Sequence, residues 1–361
     1  MKKPTKWFRI LAVVPLLALL TGVNYYEDPA NLFHAPSPGV AQAIMDGNAV
    51  YYGSANADHR GVKTCMIELM PDHVDCLTIG SSVAMGIRRE NVGTDSYYNL
   101  SVSNLGFYDT MAEFALLELN GVEYDRVILY ADTYFFDEIN AGEILNEDLR
   151  PYADYMIARI EGNDAPIPDP GFGITSFSNR AQQLFSVTYF QSSVDYIQEN
   201  GSLLLKTERW GIVDDSTQEL AHYMSDGSWV YSADYQQNDS DYVHREAVQY
   251  DYPLVFSADR HISEYHKEHF RMLVQYLLER GVTVELFIAP VCPSMWDIIQ
   301  SEADHYPMVN EIEQFENEIA SEYGLRVVGT FNPYDLGLTD SDFMDSRHMR
   351  HDRLQDFFDF T

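Results

Sequence analysis

The chain has 361 residues, of which 46% are hydrophobic and 13% aromatic, so it can bury a large core. Its formal net charge is -33. An acidic surface of this size repels phosphate backbones, and we therefore exclude nucleic acid as the expected partner.

The first predicted element is an apolar run at residues 7–23, which follows a basic flank at residues 1–6 and is interrupted only by Arg9. A helix needs about 20 apolar residues to cross a bilayer, so the run predicts one N-terminal transmembrane helix. Positive charge before it predicts a cytoplasmic N-terminus and a body outside, periplasmic or extracellular. A cleaved secretory signal has the same flank and core; we favour an uncleaved anchor because no convincing A-x-A site follows.

A polar juxtamembrane segment, residues 24–69, leads into the main domain, residues 70–361. Strands are predicted at 74–80, 97–102, 125–131, 282–290 and 325–331, and helices at 107–121, 263–281 and 294–323. This alternation predicts an α/β fold, a three-layer sandwich with a central parallel sheet. Residues 137–260 break the rhythm, apart from a helical pattern at 178–199. We interpret them as an insertion that helps to build the substrate surface.

Polar residues stand at the carboxyl ends of several of these predicted strands, among them Ser82, Ser101, Asp132 and Thr133. In a parallel sheet, functional groups collect at the carboxyl ends of the strands. The sequence therefore predicts an active site at this edge.

A serine becomes a nucleophile when a histidine, itself held by a carboxylate, removes its proton. Ser82 ends a Gly-Ser-Ser turn after a buried strand, and Asp345 stands three residues before His348. We predict that Ser82 is the nucleophile, His348 the base and Asp345 the carboxylate. Taken singly, each motif has an ordinary interpretation, Ser82 as a helix N-cap and the DSRH tetrapeptide as a surface loop.

The cysteines and two of the histidines are the candidate metal ligands of the sequence. Cys65, Cys76 and Cys292 form no CxxC pair, so a cysteine zinc site lacks ligands. Outside the cytoplasm Cys65 and Cys76 could form a disulfide; the alternative is that Cys76 is simply buried in its strand. His266 and His269 have a spacing that metal sites can use, but no partner set is evident, and we expect both to face solvent. We assign no metal and no cofactor.

Two blocks around the predicted triad resemble those of the SGNH (GDSL-like) hydrolase superfamily. Residues 80–86, G-S-S-V-A-M-G, are similar to its G-D-S-x-x-x-G block, and residues 345–348 are similar to its D-x-x-H block. The resemblance implies an SGNH-like, flavodoxin-like sandwich whose nucleophile is Ser82.

The same resemblance suggests where an oxyanion would be bound. Residues 99–106, N-L-S-V-S-N-L-G, are similar to the second block, which implies backbone N–H donors at Ser82 and Ser101. The third block, G-x-N-D, is not kept, because the equivalent stretch reads Tyr-Ala-Asp-Thr. Asp132 and Thr133 are the remaining candidates at that place.

The G-S-S variant with a single anchor resembles a branch that includes D-alanyl transfer proteins of teichoic acid and alginate acetylation proteins. The resemblance implies a membrane-anchored, extracytoplasmic serine esterase or O-acyltransferase that acts on acyl groups, with acetyl expected, of a cell-surface or exported polysaccharide. The implied partners are an acylated glycan or acyl donor and a membrane-bound O-acyltransferase. The alternative, favoured by the lost third block, is a non-catalytic SGNH-like partner of a polysaccharide acylation or export complex.

Overall fold

The computed structural model describes residues 6–28, 33, 36–52, 58–139, 149–168, 181–200, 210–214, 219–249 and 256–361. The chain divides into two compact units, Met1–Pro38 with Asp169–Gly211 and Gly39–Pro168 with Ile212–Thr361. The described strands are β1 Ala49–Tyr52, β2 His73–Ile79, β3 Tyr97–Asn99, β4 Glu123–Leu129, β5 Trp210–Val213, β6 His222–Tyr223, β7 Trp229–Val230, β8 Thr283–Ile288 and β9 Arg326–Gly329.

The helices of the described residues are α1 Lys6–Glu27, α2 Ser37–Met45, α3 His59–Leu69, α4 Arg89–Val92, α5 Phe107–Leu119, α6 Thr133–Phe136, α7 Arg150–Ile160, α8 Val187–Asn200, α9 Ala233–Gln236, α10 Ser240–Gln249, α11 Glu264–Glu279, α12 Pro293–Ser301, α13 Pro307–Tyr323 and α14 His351–Phe357. Short 3₁₀ turns cover Ala84–Gly86, Pro333–Leu336 and Asp340–Asp342.

A five-stranded parallel sheet flanked by helices forms the centre of the larger unit, and it confirms the predicted α/β class and central parallel sheet. Its strand order is β3-β2-β4-β8-β9. The register places Thr78 beside Asn99 and Leu77 beside Val127. All neighbouring strands therefore end at the same edge, where the predicted site residues begin.

Burial explains why these segments pair as parallel strands. The carboxyl halves of β2, β4 and β8 are buried throughout, whereas each of these strands begins at an exposed residue. A strand that is covered by helices needs such continuous apolar stretches. The polar residues that follow each strand are thus held at the rim of the core.

The predicted helix at 294–323 is two helices, α12 and α13, separated by a turn. Pro307 occupies the first position of α13, and the preceding Tyr306 is non-helical, with φ -120° and ψ 53°. Proline disfavours the helical conformation of the residue before it and suits the first turn of a new helix. The apolar periodicity continues across this break, which is why the pattern alone did not show it.

A second, antiparallel sheet, which the sequence did not predict, has the strand order β5-β1-β6-β7. Val50 of β1 pairs with Tyr223 of β6, and Tyr223 pairs with Trp229 of β7. Its strands come from the juxtamembrane segment and from the insertion. The insertion therefore contributes regular structure close to the parallel sheet rather than surface loops alone.

The smaller unit contains α1, whose carboxyl end packs on α8. Asn24 Nδ2 donates to the carbonyl oxygens of Gln183 and Ser186 at 2.9 and 3.0 Å, and the Tyr189 hydroxyl donates to Asp28 Oδ1 at 2.7 Å. Helix α1 covers the predicted span at 7–23, but the side chains of residues 6–13 lie outside the described residues. Within the described residues, no helix combines the length and the apolar character that crossing a bilayer requires. The transmembrane helix of the predicted fold is therefore not found.

All three cysteines lie in the described part of the chain, and all three are free. The possible Cys65–Cys76 disulfide is not formed. Cys76 is fully buried in β2, as the alternative interpretation had it.

Candidate functional site

Ser82 lies in a tight turn at the carboxyl end of β2. The turn begins at Gly80, where an added Cβ would lie only 2.7 Å from Tyr130 Cβ, so no larger residue fits without a shift. The Ala84 N–H donates to the Ser81 carbonyl oxygen at 3.0 Å and starts the 3₁₀ turn that follows. This geometry leaves Ser82 half-buried at the rim, whereas Ser81 is buried.

Asp345 and His348 lie on a hairpin-like loop that follows β9. Phe343 and Met349 form an antiparallel bridge across the loop, and the Met344 N–H donates to the His348 carbonyl oxygen at 2.8 Å. The loop is thereby closed over the edge of the sheet.

The structure brings the three predicted residues together. Ser82 Oγ lies 2.8 Å from His348 Nε2, and His348 Nδ1 lies 2.7 Å from Asp345 Oδ2. With the imidazole proton on Nδ1, the ring donates to Asp345 and accepts from the Ser82 hydroxyl. This is the hydrogen-bonded order that activates a serine.

Asp345 is held as a carboxylate by several donors. The backbone N–H groups of Arg347 and His348 donate to its Oδ1 at 2.7 and 2.6 Å, and the Tyr235 hydroxyl donates to its Oδ2. Burial alone would raise the pKa of Asp345, but the charge and hydrogen bond of His348, with the Tyr235 hydroxyl, outweigh burial and lower it. Asp345 therefore stays ionised and can stabilise a protonated His348.

Residues of the insertion support this loop, and the sequence did not single them out. Besides Tyr235, Asn238 Nδ2 donates to the Met344 carbonyl oxygen at 2.9 Å, and Glu246 Oε2 accepts from the Ser346 N–H at 2.7 Å. The abundance of tyrosine in residues 137–260 was the only signal, and it does not identify individual contacts.

The oxyanion-hole candidates differ in what they can offer. Within the described residues, no acceptor is found for the Ser82 N–H. The Ser101 N–H instead donates to Asn99 Oδ1 at 2.9 Å, while Asn99 Nδ2 donates to the Ala84 carbonyl oxygen at 2.8 Å. The Ser101 donor is thus engaged in its own turn, and the buried Asn99 fastens that turn to the segment after Ser82.

Asp132 does not stand alone at the site, because it pairs with Arg347. Its Oδ2 accepts from Ser81 Oγ at 2.9 Å and from Arg347 Nη2 at 3.1 Å, and its Oδ1 caps α6 through the Tyr134 N–H at 2.9 Å. Burial opposes the charge of Arg347, but the Asp132 carboxylate outweighs burial and raises the pKa of the guanidinium. The negative charge of Asp132 is therefore balanced by the guanidinium of Arg347. Thr133, the other candidate here, is buried at the start of α6.

A small cavity lies beside these groups. Val83, Tyr130, Ala289 and Phe331 are among its apolar lining residues, and Arg347 is among its charged ones. It holds about 10 Å³ of free space, roughly enough for one water-sized group. Val83 directly follows Ser82 in the chain, and Asp132 and Arg347 also line the cavity.

His266 and His269 correct the expectation that they face solvent. Both are buried on α11, and the His266 ring stacks on Phe107 with the centroids 4.3 Å apart. Desolvation by burial, ahead of other causes, lowers the pKa of His266 to about 4, so the ring is neutral. In the described residues, no group of three or more histidine, cysteine or acidic side chains is placed to hold a metal.

Comparisons of the sequence with models of protein families and with curated proteins find no match. Interpretation of the site therefore rests on its geometry.

Proposed function

We propose that this chain is a serine esterase or O-acyltransferase that uses Ser82, His348 and Asp345. The observation that carries the proposal is the continuous hydrogen-bonded path of 2.8 and 2.7 Å from Ser82 Oγ through His348 to Asp345. The path lies at the carboxyl edge of the parallel sheet, where sheets of this type bind ligands.

The geometry supports a two-step acyl transfer. As Ser82 Oγ attacks the acyl carbonyl carbon, His348 Nε2 takes the hydroxyl proton and Asp345 stabilises the imidazolium. His348 then returns the proton to the departing sugar oxygen, which leaves the acyl group on Ser82. In the second step water or another hydroxyl attacks the acyl-serine, with His348 again as base, and Ser82 is released with its proton.

The oxyanion of each tetrahedral intermediate needs donors. The Ser82 N–H is open among the described residues, and loss of a second donor costs about 10²–10³ in rate. We propose that the Arg347–Asp132 pair stands where the usual asparagine is missing. The neutralised Asp132 does not repel the developing charge as a bare carboxylate would.

The small cavity beside Val83 supports acetyl as the acyl group. Its free space of about 10 Å³ accommodates about one methyl-sized group. Longer acyl chains would have to extend elsewhere. We therefore expect faster turnover of acetyl than of butyryl esters.

The family assignment and the location are also part of the proposal. Numbered along the chain, the sheet strands have the order 2-1-3-4-5, which is that of flavodoxin-like folds. This order supports a three-layer, SGNH-like sandwich. A location outside the cytoplasm and a cell-surface or exported polysaccharide as substrate rest on the sequence alone.

The alternative is a non-catalytic, SGNH-like partner of an acylation complex. It is favoured by one observation: the Ser101 N–H donates to Asn99, so that the Ser82 N–H is the one oxyanion donor identified in the described part of the chain.

Hydrolysis of p-nitrophenyl acetate by the full chain, by Ser82→Ala and by Ser81→Ala separates the two functions. If the chain is an enzyme, we expect turnover that is abolished in Ser82→Ala and largely retained in Ser81→Ala. No turnover above background, with the folded state verified, would favour the non-catalytic partner.

A further inference from the structure

A second, larger cavity of about 370 Å³ lies on the same unit and is lined mainly by polar residues. Arg88, His222, Arg350 and His351 line it, together with one carboxylate among the described lining residues, Asp352. We refer to it as the Arg88 cavity. In a chain with a net charge of -33, a cavity lined by two arginines and one carboxylate is electrostatically exceptional.

Within the described ranges, no carboxylate forms an ion pair with either arginine. Arg350 donates through Nε to the Ser341 carbonyl oxygen at 2.7 Å and through its other nitrogens to the Gln236 and Asn238 carbonyl oxygens. Arg88 Nη2 lies 3.2 Å from His351 Nδ1. Among the described residues, neither guanidinium has a carboxylate within 4.0 Å.

Two other arginines of the same unit are each paired with a carboxylate. Arg60 meets Asp109 at 2.6 Å, and Arg347 meets Asp132 at 3.1 Å. Leaving a charge without such a counterion is costly when the surroundings are partly buried. A ligand that supplies the missing negative charge would remove this cost.

Two buried nitrogens of the lining residues also have no partner among the residues that the structure describes. Arg88 Nε and His222 Nε2 are both buried, and neither has a hydrogen-bond partner in the described part of the chain. His222 Nδ1 lies 2.6 Å from the Leu220 carbonyl oxygen, which places its proton there and leaves Nε2 as an acceptor. Buried polar atoms are normally paired, so these two point to a ligand that can both accept and donate.

The Arg88 cavity is close to the proposed catalytic groups. The Tyr231 ring lies between the two histidines, 5.5 Å from the His348 ring and 5.9 Å from the His351 ring, measured between centroids. Arg88 follows Ser82 by six residues, through the 3₁₀ turn. One extended substrate can therefore reach both places.

We infer that the Arg88 cavity is a subsite for an oxyanion carried by the glycan substrate, a carboxylate or a phosphate ester, and that it holds the substrate while Ser82 acts on a neighbouring acyl group. The inference rests on the proposed function. Arginine suits such a group because its planar N–H donors match two oxygens at once. His222 Nε2 would accept from a hydroxyl of the same sugar.

The positive surroundings are also evident at His351. Burial first, and then the positive charge of Arg88, lower the pKa of His351 to about 3. No carboxylate is among the causes of that shift. A cleft in which positive charge predominates concentrates ligands of the opposite sign, which here are anionic sugars.

The test measures binding by calorimetry to full-length Ser82→Ala protein at low salt, so that catalysis plays no part. The probes are methyl β-glucuronide, glucose 6-phosphate and the neutral methyl β-glucoside. At least one anionic sugar should bind about tenfold or more tightly than the neutral one, and the better of the two identifies the oxyanion. Arg88→Gln on this background should remove about tenfold of that affinity. Equal binding of all three sugars would overturn the inference.

Two matched pairs keep the test specific. Arg271→Gln makes the same charge change at a half-buried arginine that is paired with Glu322 and does not line the cavity, and it should leave anion binding intact. Asp352→Asn, an exposed change that should not disturb folding, ought to tighten anion binding by about two- to threefold, whereas Glu264→Gln should not. If Arg88→Gln matches Arg271→Gln, or Asp352→Asn weakens binding, the subsite is refuted. Failure of the proposed function would appear separately, as an unreactive Ser82 in wild-type protein.

Discussion

Replacing Asp132 by asparagine tests whether the buried ion pair between Asp132 and Arg347 stabilises the site. The side chain of Asp132 is 3% exposed and that of Arg347 is 13% exposed, so the pair is largely out of water. An asparagine in the same position keeps an acceptor for the Tyr134 N–H. In the wild type, Ser81 Oγ and Arg347 Nη2 both donate to Asp132 Oδ2. The NH₂ group of an asparagine would stand in place of that oxygen, and it cannot accept from either donor.

The expected cost follows from the burial of the pair. Removing one partner of a buried ion pair typically costs about 3–5 kcal/mol, because the other charge stays buried without compensation. Arg347 keeps some contact with solvent, so we expect the lower end, about 3 kcal/mol. For a unit of this size that corresponds to a fall in melting temperature of roughly 5 °C. Esterase turnover should fall with it by about tenfold or more, since Arg347 lies on the loop between Asp345 and His348.

The assay combines thermal unfolding with p-nitrophenyl acetate hydrolysis. Ser81→Ala is the matched control: it removes one hydrogen bond from an uncharged hydroxyl to the same carboxylate oxygen, keeps the ion pair, and should cost less, about 1.5 kcal/mol. An unchanged melting temperature together with a raised turnover in Asp132→Asn would refute the reasoning. That result would mean that Asp132 faces the oxyanion and that an amide donor improves the hole.

Three further outcomes are expected. Gly80→Ala should cost about 1–3 kcal/mol of stability and most of the esterase activity, because the added Cβ would lie 2.7 Å from Tyr130 Cβ. Desolvation by burial lowers the pKa of Lys63 to about 7. In the unfolded chain the Lys63 amine keeps its proton up to about pH 10.4. Between about pH 7 and 10 the free energy of unfolding of the wild type, measured in urea, should therefore rise by up to about 1.4 kcal/mol per pH unit relative to that of Lys63→Met. Asp345→Asn should lower the esterase kcat by about 10³–10⁴ because an amide cannot stabilise the His348 imidazolium.

A specific result would contradict each of these three predictions. Gly86→Ala is the control for the turn, since its added Cβ would meet Leu354 Cδ1 at an ordinary 3.5 Å; equal losses in both variants would contradict the steric argument. For Lys63, parallel stability curves of wild type and variant across that pH window would show that its amine does not titrate there; Lys267→Met provides the comparison at a lysine that is not fully buried. A fall in the esterase kcat of less than tenfold in Asp345→Asn would show that Asp345 is not a catalytic residue.

The parallel sheet and the meeting of Ser82, Asp345 and His348 could be predicted because their signals are local. Each strand is a short apolar run followed by polar residues, and the carboxyl ends of parallel strands necessarily share an edge. The sequence therefore placed Ser82 and the Asp345–His348 loop at one rim without any long-range information.

Other features depend on contacts that no local pattern encodes. The antiparallel sheet joins β1 to β6 across more than 160 residues, and its strands are too short to show an alternation. Tyr235, which belongs to the insertion, donates to Asp345. The sequence assigned no role to Arg347 within the DSRH tetrapeptide, whereas in the structure it forms an ion pair with Asp132. Likewise, a resemblance could place Ser101 in a block, but not show that its N–H turns towards Asn99.

The most direct measurement of the central claim is covalent labelling with a serine-directed fluorophosphonate, followed by intact-protein and peptide mass spectrometry. The reagent requires an activated serine: Oγ displaces fluoride at phosphorus as the histidine takes the proton. The account predicts one adduct, on Ser82, that persists in Ser81→Ala and disappears in Ser82→Ala and in His348→Ala. No adduct on the folded wild-type protein, or an adduct that survives Ser82→Ala, would contradict it.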